Sequence, residues 1–213
     1  MTARARDVVP AGTSPDPTHA KAEWRRQIRE GRRRLAPEVR TRHAALLTAA
    51  ALELAAETGG PVCAYLPIGV EPWTPSGVDE LRAAGHEVLL PVVAGAHAPL
   101  DWARHNGALA PGPFGLREPS GPRLGSATIL RVRLVLLPAL AVDRRGVRLG
   151  QGGGYYDRTL PLVDDDVPVV AVLGDGELVD ELPTEPHDHR VTGAILPGAG
   201  FVTLGGPGRA PTS

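Results

Sequence analysis

Residues 133–173 read RLVLLPALAVDRRGVRLGQGGGYYDRTLPLVDDDVPVVAVL. The first eight residues, RLVLLPAL, and the last seven, VPVVAVL, are short and almost wholly apolar, as strands buried on both faces are. Between them a glycine-rich loop leads into YYDRTLPLV, which predicts a helix, and the acidic run Asp164, Asp165, Asp166 reads as an ordinary turn. Strand, loop, helix and strand in that order predict a βαβ unit, and with it a parallel sheet.

The same pattern recurs upstream. PVCAYLPI (61–68) predicts a strand, GVDELRAAGH (77–86) a short helix and EVLLPVV (87–93) the next strand, while RVTGAILP (190–197) predicts a last one. Ahead of these, Trp24, Ile28 and Leu35 recur near the helical period among arginines, giving an amphipathic helix over 19–35 with a broad cationic face. Pro37 suits the first turn of a second helix that runs to the glycines at 59 and 60. The expected fold is α/β: a mostly parallel central sheet flanked by helices on both faces, with two N-terminal helices and ragged termini. Residues 1–17 and 201–213 are rich in Pro, Gly, Ser and Thr and read as tails, leaving one domain over 18–200.

Composition narrows the function. The chain has 213 residues and a formal net charge of -1. That balance argues against wholesale attraction to nucleic acid or to anionic membrane, so any anion site must be local. The one cysteine, Cys63, excludes an internal disulfide and a cysteine-built zinc site. No stretch resembles a secretory signal or a membrane span, and the expected compartment is the cytoplasm. Lys21 is the sole lysine and has no glycine run before it, which excludes a Walker motif.

The loop RLGQGGGYYD (148–157) carries the chemistry. Glycines ahead of a helix expose backbone N–H groups to which phosphate oxygens can dock, and Arg148 adds a full charge in a planar fork. Tyr155 falls where the third glycine of GxGxxG belongs, so a Rossmann dinucleotide site is not expected. Asp157 suits either the positive end of the helix or a Mg²⁺ ion beside bound phosphate. Tyr155 and Tyr156 suit the frame of a flat ligand.

The block 137–160 resembles the signature of the 5-formyltetrahydrofolate cyclo-ligase family, PGLAFDxxGxRLGxGGGYYDRxL, with Val142 in place of phenylalanine. KAEWRR, AYLPIGVEPWT, FGLREP and LPTEPHDHRV resemble further family segments in the same order, so that the likeness spans about residues 20–196. By this resemblance, ATP would be held by Lys21, Arg25, Arg148, Leu149, Gly150, Gln151, Gly152, Gly153, Gly154, Tyr155 and Tyr156. The resemblance likewise implies that the folate would be held by Leu66, Glu71, Gln151, Gly152, Gly153, Gly154 and Tyr155. It implies that Asp157 and Asp188 would hold Mg²⁺, and that Arg148 and Tyr156 would be catalytic. The implied reaction is the ATP- and Mg²⁺-dependent closure of 5-formyltetrahydrofolate to 5,10-methenyltetrahydrofolate, by a monomer that needs neither nucleic acid nor membrane. Taken alone, Lys21 and Arg25 at i,i+4 read as a solvated helix face, and Glu71 as a loop residue facing water.

Overall fold

The computed structural model describes residues 17–185 and 188–205. Of the tails expected over 1–17 and 201–213, residues 1–16 and 206–213 lie outside the described residues. Helix α1 (Pro17–Arg34) and helix α2 (Pro37–Thr58) come first, as the sequence predicts. Seven strands then build the main sheet: β1 (Val62–Cys63), β2 (Val88–Val92), β3 (Asp101–Arg104), β6 (Leu134–Pro138), β9 (Val169–Val172), β11 (Gly193–Leu196) and β12 (Gly200–Thr203). Across the sheet they lie in the order β12, β11, β9, β6, β1, β2, β3. The five inner strands are parallel, whereas β3 and β12 run antiparallel at the two edges.

Period-two alternation divides the core between the two faces of this sheet. Val62, Leu90, Leu134, Leu136, Val170 and Val172 point to one face, covered by α2 and by α3 (Pro75–Ala83). Cys63, Leu89, Val135, Leu137, Val169 and Ala171 point to the other. That second face is covered by 3-10 turns at Ser126–Arg131 and Leu160–Leu162 and by the short helix α4 (Tyr155–Thr159). Two small sheets complete the chain. One is the hairpin of β4 (Leu109–Pro111) and β5 (Arg117–Pro119); the other joins β7 (Ala141–Asp143), β8 (Arg148–Leu149) and β10 (Leu178–Val179).

Several boundaries differ from the expectation. The first strand is confined to Val62 and Cys63, with one further bond from Ala64 N to Leu89 O at 2.9 Å, and Pro67, which has no N–H to donate, could not extend the ladder. Helix α3 starts two residues earlier, with the Thr74 hydroxyl accepting from Gly77 N at 3.3 Å and Pro75 in the first turn. The helix expected from YYDRTLPLV is little more than one turn: Pro161 removes the next helical hydrogen bond and crowds the carbonyl four residues back. At the C-terminal end the sheet continues past residue 200, since Phe201 and Val202 pair with Ile195 and Ala194 in β12. The domain boundary drawn at 200 therefore falls inside an edge strand, and Pro17 belongs to α1 rather than to a tail.

Among the described residues no helix is long and apolar enough to cross a membrane.

Candidate active site

The order of strands reverses between β1 and β6: from β1 the chain moves to β2 on one side, and it returns to β6 on the other. In open α/β sheets the crevice at such a switch point, outside the carboxyl ends of the strands, is where ligands collect. Here it opens into a cavity of about 270 Å³. Tyr65, Leu66, Ile68 and Glu71 reach it from the segment after β1, Leu90 and Pro91 from β2, Val93 from just past it, and Pro138 from the end of β6. Arg148, the loop residues 150–154, Tyr155, Tyr156 and Asp157 close the other side. Leu116, Arg117 and Glu118 complete the wall, with Glu118 Oε1 accepting from Val93 N at 2.8 Å. The volume suits a fused ring system, and a longer ligand would extend beyond it into the open cleft.

The glycine loop is shaped around arginines. Arg148 is 7% exposed, donates from Nη2 to Asp157 Oδ1 at 2.5 Å, and lies with its guanidinium carbon 5.7 Å from the centre of the Tyr156 ring. A Cβ on Gly150 would sit 2.6 Å from Arg148 Nη1, so the residue at 150 must lack a side chain for the fork to lie flat against the loop. Gly154 has φ +67°, and a Cβ there would sit 2.7 Å from Arg158 Nη1. Among the described residues none of the N–H groups of 150–154 is taken up by a hydrogen bond. Arg148 Nε is likewise buried without a partner. Because α4 is a single turn, its dipole adds little, and any attraction for an anion here would come from these N–H groups and from whole charges.

Helix α1 supplies more of those charges than the sequence suggested. Lys21, Arg25, Arg29 and Arg32 form a stripe along one side: Lys21 and Arg32 are buried, Arg25 is half-buried, and Arg29 sits at the rim, where its bond to Gln151 is exposed. Lys21 is 6% exposed and bonds Glu185 at 2.6 Å and Asp188 at 2.8 Å. Burial works against its charge, but Asp188 and Glu185 outweigh this and raise its pKa above the ordinary lysine value. Arg25 Nε donates to Gly150 O at 3.0 Å, which ties the helix to the glycine loop. Arg32 forms a buried pair with Glu177 at 2.7 Å and also donates to Ala139 O. The solvated-face reading of Lys21 and Arg25 is therefore overturned: α1 packs Trp24 and Ile28 against Leu140, Ala141 and Leu149, and that docking carries the neighbouring cations under the loop.

Of the expected site residues, Leu66, Glu71, Arg148, residues 150–154, Tyr155, Tyr156 and Asp157 meet in the cavity wall, whereas Lys21, Arg25, Leu149 and Asp188 do not line it. Leu149 is 2% exposed and its side chain packs into the cluster beneath α1, away from the cavity, because alternation in β8 puts Arg148 and Leu149 on opposite sides. Lys21 and Asp188 occupy each other instead of facing the cavity, and Asp188 Oδ2 also accepts from Glu185 N at 2.8 Å. Glu71 is half-buried rather than solvated. Burial pushes its carboxyl above the usual carboxylate range, partly offset by the Ile68 N–H at 3.0 Å, Arg32 and Gln151. Tyr156 is a donor and not a base, since burial and the nearby Cys63 push its phenol well up. Sequence reasoning missed Glu118, Arg29 and Arg32. FGLREP was legible as a motif without a role; the arginines looked like the rest of a cationic helix.

The sequence model of the 5-formyltetrahydrofolate cyclo-ligase family matches residues 17–197. The 5-formyltetrahydrofolate cyclo-ligase of Mycolicibacterium smegmatis is 47% identical over 152 residues, covering 69% of this chain and 78% of that protein. Its counterpart from Escherichia coli K12 is 30% identical over 141 residues, 64% of this chain and 77% of that protein. Among solved structures, the 5,10-methenyltetrahydrofolate synthetase of Aquifex aeolicus superposes with a TM-score of 0.70 at 26% identity, covering 91% of this chain and 96% of that one.

Proposed function

The chain belongs to the 5-formyltetrahydrofolate cyclo-ligase family, and from that premise we propose that it closes 5-formyltetrahydrofolate to 5,10-methenyltetrahydrofolate using ATP and Mg²⁺. One observation carries the residue-level reading: Glu71 and the Arg148–glycine loop face each other across one ring-sized cavity at the switch point. A carboxylate suited to amino and ring N–H donors thus lies opposite a cradle suited to phosphate.

The chemical obstacle is the formyl oxygen, which is a poor leaving group. In the proposed path this oxygen attacks the γ-phosphorus of ATP, and the bond from phosphorus to the ADP oxygen breaks. N10 then adds its lone pair to the formyl carbon and gives up its proton to solvent. The carbon–oxygen bond breaks and phosphate departs with the electron pair, leaving the methenyl bridge. Such a transfer calls for alignment and charge neutralisation rather than a covalent nucleophile. Arg148 and the free N–H groups of 150–154 would receive the developing phosphate charge, and Leu66, Glu71 and Tyr156 would place the ring.

The carboxylates Asp157 and Asp188 fit a metal bound together with nucleotide. Asp157 lies in the cavity wall bonded to Arg148, and Asp188 is bonded to Lys21 of α1, so each carboxylate already sits against a cation for which phosphate would compete. Among the described residues no group of three His, Cys, Asp or Glu side chains could hold a metal ion, but Mg²⁺ needs only one or two carboxylates when phosphate and water complete its shell. Bound there, the ion would neutralise phosphate oxygens. Lys21 now holds Asp188, so exchange of its ammonium onto phosphate would release that carboxylate. We further propose that one domain, from about residue 18 through β12, does this as a cytoplasmic monomer.

Mixing the protein with 5-formyltetrahydrofolate and Mg·ATP should produce an ATP-dependent rise in the near-ultraviolet absorbance of the methenyl product. No ATP-dependent rise would reduce the site to a binding role. Asp157→Asn should raise the Mg²⁺ concentration for half-maximal rate by about tenfold or more. An unchanged metal dependence would leave Asp157 as an anchor for Arg148 alone.

A further inference from the structure

Gln151 is the one residue with a side chain in the run 150–154, and both ends of its amide are engaged. Arg29 of α1 donates to Gln151 Oε1 from Nη2 at 2.6 Å and from Nε at 3.2 Å. Gln151 Nε2 in turn reaches Glu71 Oε1 at 3.4 Å, while Glu71 Oε2 accepts from Ile68 N at 3.0 Å. A guanidinium only donates and a carboxylate only accepts, so the amide between them has one satisfactory orientation. The chain links α1 to the segment after β1 across the cavity mouth.

We propose that Arg29 is a positioning residue for Glu71, acting through Gln151. Arg25 and Arg158 hold the loop backbone at Gly150 O and Gly153 O, but neither bonds the Gln151 amide, so Arg29 is what holds that amide with its NH₂ toward the carboxylate. Glu71 Oε1 is thereby aimed across the cavity in the free protein, and donors of a bound ring replace a single 3.4 Å contact at low cost. The inference rests on Glu71 being the acceptor for the folate ring.

Arg29→Ala should raise KM for 5-formyltetrahydrofolate about three- to tenfold, the scale of one ordinary hydrogen bond, with KM for ATP and kcat within about twofold. The acid limb of kcat/KM should move to higher pH, because Glu71 loses a donor that favours its ionised form. The other groups facing Glu71 are the Ile68 N–H, Arg32 from α1, Tyr65 from its own segment and Tyr156 from α4, and all are retained in the variant. Arg29→Lys should recover most of the loss. In a Gln151→Ala background, Arg29→Ala should add nothing.

Losses that simply add would show Arg29 acting by its own charge and overturn the proposal. So would a rise confined to KM for ATP, which would make Arg29 a nucleotide contact. Should the wild-type protein form no methenyl product, the functional reading fails separately. The Arg29–Gln151–Glu71 chain is then read from the carbon-13 shift of the Glu71 carboxyl during a pH titration. An Arg29→Ala titration that coincides with wild type overturns the chain itself.

Discussion

Arg148→Ala is expected to lower the ATP-dependent rate of ring closure by about 10²- to 10⁴-fold, the range found when a preorganised charge at a phosphoryl or oxyanion site is removed. Three features place so large an effect on one side chain. Arg148 is almost fully buried, so its charge acts with little screening by solvent. Asp157 on one Nη and the Tyr156 ring beneath hold the fork in one orientation. Its Nε–H remains without a partner, a buried donor that a phosphate oxygen would satisfy. The fold should survive, because Asp157 is 29% exposed and can be hydrated once its partner is gone. A single-turnover assay beside a thermal melt separates the two effects. A near-wild-type rate in a folded variant would remove Arg148 from the chemistry, while a collapsed melting curve would make it structural. Arg148→Lys should fall between the two, since an ammonium keeps the charge and loses the bidentate fork.

The second large effect is on stability. Arg32→Ala should cost about 3–5 kcal/mol, because it strands Glu177 in the interior with its charge unmatched. The pair is 4% and 9% exposed, and it joins α1 to the loop after β9, whose Gly174 N donates to Glu177 Oε2 at 2.6 Å. Arg32 also caps the carbonyl of Ala139 just past β6. For a chain of this size the loss corresponds to a fall in Tm of roughly 6–20 °C. Adding Glu177→Gln should recover part of it, since an amide still accepts from Gly174 N and leaves no buried charge. A fall equivalent to less than about 1 kcal/mol would mean that water reaches the pair and screens it. Because the same contact fixes α1 under the glycine loop, activity of Arg32→Ala at low temperature should decline together with the docking of α1.

The inner sheet was legible because its strands are continuous apolar runs separated by turn residues, a pattern local in sequence and enforced by burial on both faces. The glycine loop was legible for a related reason: glycines, an arginine, two tyrosines and an aspartate in fixed order have few uses other than close approach by a charged ligand. The edge strands β3 and β12 were not legible. DWAR and GFVT are four-residue segments with nothing local to distinguish them from loop, and they become strands only by pairing with β2 and β11. The three-stranded sheet of β7, β8 and β10 went unseen for the same reason, since two of its members are two residues long.

Among the candidate site residues, the sequence by itself determined which chemical groups are present and that Arg148, the glycines, Tyr155, Tyr156 and Asp157 lie together. Their neighbours in the chain hold them within one loop, so proximity followed from covalent connection. Tertiary structure alone decided the rest. It turned Lys21 and Arg32 of α1 inward, matched Lys21 with Asp188 across 167 residues and Arg32 with Glu177 across 145, and brought Glu71 to Gln151 across 80. No local rule links residues so far apart. Their meeting depends on the packing of α1 against β7 and β8 and on the reversal of strand order between β1 and β6. Burial then makes each pairing obligatory, because a charge carried out of water must find its counter-charge or donor there.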